Sequence, residues 1–157
     1  MPNWCQNKVE LFHEDSNMIK RAIAAYHDDK LFNEFVPRPE SEDDNWYDWN
    51  LSNWGTKWDM SGCDYIESSN DNSIEMEFST AWGAPLEFYN NLIEQGFEVH
   101  AYYYEPGVGF CGYYSKDSDE VYHINGNSEW VTKNIPESIN DIFLISESMK
   151  EWEEDEE

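Results

Sequence analysis

The sequence predicts a single α+β domain with an antiparallel sheet. Strand-like alternation and helix-like spacing follow one another in the order strand, helix, strand, strand, helix, strand. That order is the split βαβ pattern of ferredoxin-like folds, with helices expected on one face of the sheet. The chain has 157 residues, a common size for one domain, and its aromatic content of 17% indicates a packed core.

The apolar residues of the first strand and the first helix recur at two different spacings. Residues 4–13 alternate, with Val9 and Leu11 on one face, as in a half-buried strand. Asp15 or Ser16 then precedes apolar residues at helical spacing, which continue to about residue 30. The sequence therefore opens with a strand followed by a capped helix.

The second half of the pattern is a hairpin, a helix and a strand. Residues 63–68 and 73–80 flank a turn-like Asn-Asp-Asn and predict the hairpin. Pro85 suits the first turn of a helix and Gly96 its left-handed end. Residues 97–105 predict the strand that completes the pattern.

Two regions fall outside this core. Residues from about 32 to 62 are irregular and rich in Trp, which predicts a long insertion with one short helix. Beyond the core, residues 112–114 and 121–124 predict a strand pair, and a helix is expected after Pro136. We assign residues 1–152 to one domain and residues 153–157 to an acidic tail.

The chain carries an extreme excess of acidic residues. Against 34 Asp and Glu stand 9 Lys and Arg, which gives a net charge of -25. Contacts with phosphate require clustered Lys and Arg, and here these residues are scattered singly. Direct binding to nucleic acid or to an anionic membrane is disfavoured, and the charge predicts a basic partner.

The sequence contains no recognisable signature of catalysis, of a metal site or of a cofactor site. Cys5, Cys63 and Cys111 are too few and too widely spaced for a zinc cage or a disulfide framework. Residues 1–8 lack the charged and apolar regions of a signal peptide, so we expect none, and no apolar run is long enough to cross a bilayer. We expect a cytoplasmic, non-enzymatic protein that uses no metal and no cofactor.

Three glycines spell a motif that is found in dinucleotide-binding proteins. Gly107, Gly109 and Gly112 give G-x-G-x-x-G after a predicted strand. A dinucleotide site also requires a helix that begins at this loop, whereas residues 113–117 are typical of a strand and a turn. We interpret the glycines as a turn or a bulge.

Five fragments of the chain resemble the YubB-type family of plasmid and phage proteins. They are MPNWCQN at 1–7, FVPRP at 35–39, WYDWNLSNWGTKWD at 46–59, STAWGAPLEF at 79–88 and YYEPGVGFCG at 103–112. The likeness covers roughly residues 1–125, and NWGTKWD is its most specific part. The resemblance implies a ferredoxin-like core and an origin on mobile genetic elements, and it brings no established activity with it.

The distribution of charge leads to our main functional hypothesis. Between Glu40 and Glu75 ten acidic residues stand against Lys57 alone. Carboxylates on a rigid surface attract basic proteins and can occupy a nucleic-acid-binding groove in place of DNA or RNA. We hypothesise an anti-defence accessory protein of a phage or plasmid, a DNA mimic that binds and blocks a basic, nucleic-acid-binding host protein. A merely solubilising surface is the alternative.

Seven acidic residues are predicted to contact this partner. They lie in the insertion and on the hairpin: Glu40, Glu42, Asp43, Asp44, Asp48, Glu75 and Glu77. The acidic tail would add non-specific attraction.

A pocket in the NWGTKWD segment is the rival hypothesis, in which the chain is a small-ligand-binding protein or an enzyme. Trp54, Lys57 and Asp59 would combine an aromatic wall with an amine and a carboxylate. The alternative interpretation of this segment is structural, with tryptophans 46, 49, 54 and 58 pinning the insertion against the sheet.

Overall fold

Six strands form one antiparallel sheet in the computed structural model, which describes residues 2–155 apart from the side chains at positions 63 and 64. The strands are β1 (Trp4–Phe12), β2 (Ser61–Asn70), β3 (Ser73–Ala81), β4 (Glu98–Glu105), β5 (Phe110–Ser115) and β6 (Ser118–His123). Their order across the sheet is β2-β3-β1-β4-β5-β6. The first four strands have the ferredoxin-like arrangement, which confirms the predicted fold class. The predicted pair of β5 and β6 extends the sheet beyond β4.

The described part of the chain also contains seven α-helices and one 3-10 helix. The α-helices are α1 (Ser16–His27), α2 (Leu31–Phe35), α3 (Trp46–Asn53), α4 (Leu86–Glu94), α5 (Ser128–Asn134), α6 (Glu137–Phe143) and α7 (Ile145–Asp155). The 3-10 helix spans Glu40–Asn45. Asp15 caps α1, as predicted, because its side chain accepts a hydrogen bond from the backbone N–H of Asn17.

The main core lies between one face of the sheet and helices α1, α2 and α4. Alternate residues of the strands supply the sheet side of this core, among them Val9, Met76 and Val99. Phe32 of α2 joins the insertion to it, since its ring contacts those of Phe78 and Phe88 at centroid distances of 5.6 and 4.3 Å. The insertion is therefore more regular than predicted, with two α-helices and a 3-10 helix.

The opposite face of the sheet is covered in part by the C-terminal helices. Phe143 of α6 contacts Tyr104 of β4, with ring centroids 5.8 Å apart, and Cys111 of β5 is buried beneath the same helices. We predicted helices on one face and a single terminal helix. The structure instead has three C-terminal helices, α5, α6 and α7, and they lie on the second face, because the large side chains that β4 and β5 carry there require cover.

The predicted acidic tail is partly helical. Helix α7 continues to Asp155, and the carboxylate of Glu153 accepts hydrogen bonds from the backbone N–H and the hydroxyl of Ser128 at 2.8 and 2.7 Å. These bonds lower the pKa of Glu153. Residues 156 and 157 lie outside the described part of the chain.

The half of the second face that β1, β2 and β3 form remains partly exposed. We call it the open acidic face, and its members are Gln6, Lys8, Glu10, Tyr65, Glu67, Glu75, Glu77 and Ser79. Strand β2 forms one edge of the sheet there and pairs irregularly with β3, with register shifts between Gly62 and Tyr65 and between Glu67 and Asn70.

Within residues 2–155, the structure contains no helix with the length and apolar character needed to cross a membrane.

Candidate partner-binding surface

Asp59 of the NWGTKWD segment fixes the start of helix α2. Its carboxylate accepts hydrogen bonds from the backbone N–H groups of Phe32, Asn33 and Met60 at 2.9, 3.0 and 2.8 Å. Burial raises the pKa of Asp59, and these three bonds oppose the rise. Both carboxylate oxygens therefore hold the chain in place.

Hydrogen bonds also fix the rest of the insertion. Trp54 is buried, and its indole N–H donates to the carbonyl of Val36 at 3.0 Å. Asn50 joins two distant parts of the insertion, since it accepts from Arg38 at 3.0 Å and donates to the carbonyl of Lys57 at 2.7 Å. The insertion is thus a rigid platform.

The structure separates Lys57 from the other two residues of the rival pocket. Trp54 and Asp59 line an open depression of about 650 Å³, and Lys57 is not among the residues that line it. Because the polar atoms of Trp54 and Asp59 bond to the backbone, their role is structural. The small-ligand pocket therefore stays a prediction.

Lys57 lies instead among exposed aromatic rings. Its ammonium nitrogen is 4.5 Å from the ring centroid of Trp58, 5.2 Å from that of Trp82 and 5.9 Å from that of Tyr47. These distances allow cation–π attraction. Lys57 therefore draws together side chains from the insertion and from the end of β3.

Two further tryptophans extend this group. Trp4 contacts Trp58 at a centroid distance of 6.1 Å, and Trp46 contacts Tyr47 at 5.9 Å. We call the five residues, Trp4, Trp46, Tyr47, Trp58 and Trp82, the aromatic surface. Each of them is 36–43% exposed. The structural interpretation of the tryptophans is thus confirmed for Trp54, which is buried, and for Trp49, which packs against the main core with its ring centroid 5.5 Å from that of Trp54, whereas Trp46 and Trp58 are exposed.

Trp82 adopts a backbone conformation that tryptophan rarely takes. Its φ is +68°, in the left-handed region, and its side chain is 43% exposed. Such strain costs free energy and is concentrated at functional positions. A strained and exposed tryptophan supports a binding role for the aromatic surface.

The strain at Trp82 leads to a stability prediction. Trp82→Gly is expected to be more stable than Trp82→Ala by about 1 kcal/mol, because glycine accepts a positive φ and alanine does not. Urea denaturation of both variants measures the difference. The same pair of substitutions at Trp58, which lacks a positive φ, is the control and should give the opposite order. Equal stability of Trp82→Gly and Trp82→Ala would argue against strain.

The acidic residues predicted in the insertion border the aromatic surface. Glu40, Asp43, Asp44 and Asp48 are exposed, Glu42 is half-buried, and all five lie on the 3-10 helix or the first turn of α3, beside Trp46 and Tyr47 in the chain. Asp43 also forms an ion pair with Arg38 at 3.6 Å. The insertion thus presents aromatic rings with an acidic border.

Glu75 and Glu77 do not belong to this border. Their neighbours in β3, Met76 and Phe78, point into the main core on which the insertion packs. Successive side chains of a strand point to opposite faces, so Glu75 and Glu77 lie on the open acidic face. The structure therefore divides the seven predicted contact residues between the two faces of the sheet.

Like charges are crowded on the open acidic face. Glu75 lies between Glu10 and Glu67 in the strand register, and Lys8 offsets part of the repulsion through an ion pair with Glu75 at 3.4 Å. The Tyr65 hydroxyl donates to the carboxylates of Glu67 and Glu75, at 3.1 and 3.2 Å. These two hydrogen bonds raise the pKa of Tyr65 to about 12.

The Tyr65 bridge leads to a pH prediction. A raised pKa in the folded state means that the stabilisation is complete below the unfolded pKa of 10.0 and is lost as the pH rises through about 12. The parent protein should therefore lose stability as the pH rises from about 10 to about 12, and Tyr65→Phe should lose less over the same range. Urea midpoints across this range measure the loss, and Tyr122→Phe is the control. Identical alkaline profiles for the parent and Tyr65→Phe would contradict the assigned role.

The glycine motif has a structural explanation. Gly107 and Gly109 lie in the turn between β4 and β5, where Gly109 has a φ of +96°, and strand β5 rather than a helix begins directly after them. The interpretation as a turn is thus confirmed. Among the described residues, no three His, Cys, Asp or Glu side chains are grouped so that they could hold a metal ion.

Comparisons with known proteins show little likeness. No family model matches the chain, and no curated protein matches it. One similar solved structure is the crystal structure of a protein api92 from Yersinia pseudotuberculosis, described by the family model DUF1281. It has 16% sequence identity and a TM-score of 0.45, over 62% of this chain and 40% of that chain. The YubB-type resemblance therefore stays a prediction.

Proposed function

We propose that the chain binds a basic protein through the aromatic surface and its acidic border. The observation that carries this proposal is the group of five exposed aromatic rings, three of them on the insertion and the other two, Trp4 and Trp82, at the start of β1 and just after β3. The five carboxylates of the 3-10 helix and α3 lie next to Trp46 and Tyr47 in the chain. Tryptophan and tyrosine contribute most to protein interfaces, and exposed aromatic patches mark such interfaces.

The charges complement these rings. A net charge of -25 attracts a basic protein over long distances and raises its association rate at low salt. The rings already surround one cation, the ammonium group of Lys57. A basic partner would place its own Lys or Arg side chains against the same rings and the adjacent carboxylates.

The biological role follows from the resemblance and the charge together. The chain would be a non-enzymatic accessory protein of a phage or plasmid, which acts in the cytoplasm of the host cell. Its acidic surface would occupy the nucleic-acid-binding groove of a host defence protein as a DNA mimic and block it stoichiometrically. The YubB-type fragments support the mobile-element origin, and the acidic excess supports the mimicry.

Affinity capture tests this function. The immobilised protein is incubated with a bacterial lysate, bound proteins are eluted by a salt gradient, and mass spectrometry identifies them. We expect one or two nucleic-acid-binding proteins that leave only at raised salt, since screening weakens charge attraction. Duplex DNA added to the lysate should compete with the chain for these proteins.

Matched charge reversals provide the control. The triple variant Glu42→Lys, Asp43→Lys, Asp44→Lys should lose the captured proteins. The triple variant Glu147→Lys, Glu151→Lys, Glu154→Lys makes the same change of net charge on α7 and should retain them. Equal loss in both variants would mean that net charge alone causes capture, and capture that DNA does not affect would contradict mimicry.

A further inference from the structure

A groove opens at the end of the sheet where β1 begins and β3 and β4 end. Its volume is about 780 Å³, and its walls include Trp4, Glu77, Glu105, Gly107 and Phe143. Trp4 also belongs to the aromatic surface, so the groove and that surface are contiguous.

Glu105 is a buried carboxylate in which one of the two oxygen atoms has no hydrogen-bond partner among the described residues. The residue is 0% exposed. Its Oε2 atom accepts from the backbone N–H groups of Val108 and Gly109 at 2.6 and 3.4 Å, whereas Oε1 has no hydrogen-bond partner among the described residues. A buried carboxylate oxygen without a partner is costly, so this one calls for a donor.

The unpartnered oxygen borders the groove at Gly107. A Cβ atom at position 107 would lie 2.7 Å from Glu105 Oε1 and 2.6 Å from Asn3 Cγ, so a side chain there would have to displace the Glu105 carboxylate or the Asn3 side chain. Gly107, Glu105 and Asn3 all line the groove. Asn3 is an exposed residue, so its side chain can swing away from the carboxylate and admit a ligand donor.

The charges along the groove select a cation. Glu77 is a second carboxylate in its lining, and Lys8, the residue opposite Glu77 in the register, forms its ion pair with Glu75 instead. The described residues that line the groove include no Lys and no Arg. The rings of Trp4 and Phe143 provide faces on which a planar cation can stack.

We propose that the groove binds an arginine side chain of the basic partner, an inference that rests on the proposed function because the partner supplies the arginine. The planar guanidinium group presents several N–H donors and stacks on aromatic rings. It is also more weakly hydrated than a lysine ammonium, so its burial costs less free energy. One edge would donate to Glu105 Oε1 and the other would face Glu77. The volume also leaves room for the backbone on either side of the arginine.

Titration with a small arginine derivative tests the groove without the partner. The probe is N-acetyl-argininamide, the neutral control is the matching citrulline derivative, and backbone amide shifts are followed by NMR. We expect binding with a dissociation constant on the order of 1 mM, as suits a ligand of this size. The shifts should centre on Asn3, Glu77 and Gly107, and the citrulline derivative should cause none.

Three variants decide the outcome. Glu105→Gln should weaken binding of the probe at least about 10-fold, since a charge-assisted hydrogen bond becomes a neutral one. Glu77→Gln should weaken it as well and provides the decision if Glu105→Gln does not fold. Glu120→Gln, an exposed carboxylate of β6, should have no effect.

Shifts that spread evenly over the acidic surface, or that persist in Glu77→Gln and Glu105→Gln, would overturn the proposal. If the groove binds the probe but the triple charge reversal at Glu42, Asp43 and Asp44 leaves capture unchanged, only the proposed function of the aromatic surface is refuted.

Discussion

Trp58→Ala is expected to weaken binding of the captured basic partner by about 30-fold or more. Trp58 belongs to the aromatic surface, where its ring contacts both Trp4 and the ammonium group of Lys57, and its side chain is 38% exposed. Central tryptophans of interfaces lose about 2 kcal/mol or more of binding free energy on truncation, which corresponds to that factor. Calorimetric titration of the partner with each variant measures the change.

A second exposed tryptophan is the control for this experiment. Trp152 of α7 is 72% exposed and lies outside the aromatic surface, so Trp152→Ala should bind the partner as the parent does. The charge reversals in the insertion should mainly lower the association rate and change its salt dependence, because they alter charges at the rim of the interface. Trp58→Ala should instead mainly raise the dissociation rate. If Trp58→Ala binds as tightly as Trp152→Ala, the aromatic surface is not the interface.

Phe32→Ala is expected to lower the free energy of unfolding by about 3–5 kcal/mol. Phe32 is 0% exposed, and its ring contacts Trp54 of the insertion, Phe78 of β3 and Phe88 of α4. Truncation would leave a cavity at the point where the insertion joins the core. Urea denaturation monitored by tryptophan fluorescence measures the loss.

Phe12→Ala is the matched control for the core substitution. Phe12 lies at the end of β1 and is 38% exposed, whereas Phe32 is 0% exposed, so truncation of Phe12 removes the same atoms with less burial to lose. Phe32→Ala should therefore lower the free energy of unfolding clearly more than Phe12→Ala does. A comparable loss in both would show that the insertion contributes little to the packing around Phe32.

The sequence predicts best those elements whose apolar residues follow the period of a strand or of a helix along their whole length. The alternation of β1 and the cap of α1 by Asp15 are both found in the structure. Helix α3 shows no such signal, because Asn50 is its one buried residue among those described and its aromatic residues lie on more than one side. Tertiary contacts, rather than local pattern, produce the helices of the insertion.

The candidate site was only partly predictable for a related reason. Five acidic residues near Trp46 were expected to be exposed; four of them are, and Glu42 is half-buried. The sequence does not tell on which face of the sheet an insertion packs, so Glu75 and Glu77 were grouped with residues that lie on the other side. The left-handed conformation of Trp82 leaves no trace in the sequence, since glycine or asparagine would be expected at a positive φ.

The irregular edge of the sheet restricts how this protein can assemble. Strand β2 changes register twice against β3, and its exposed side chains include Glu67. A bulged and acidic edge offers a poor template for another strand, since it breaks the ladder of backbone donors and repels a second copy of itself. The protein is thus protected against fibril-like stacking at this edge, and recognition by strand addition is disfavoured there in favour of side-chain contacts.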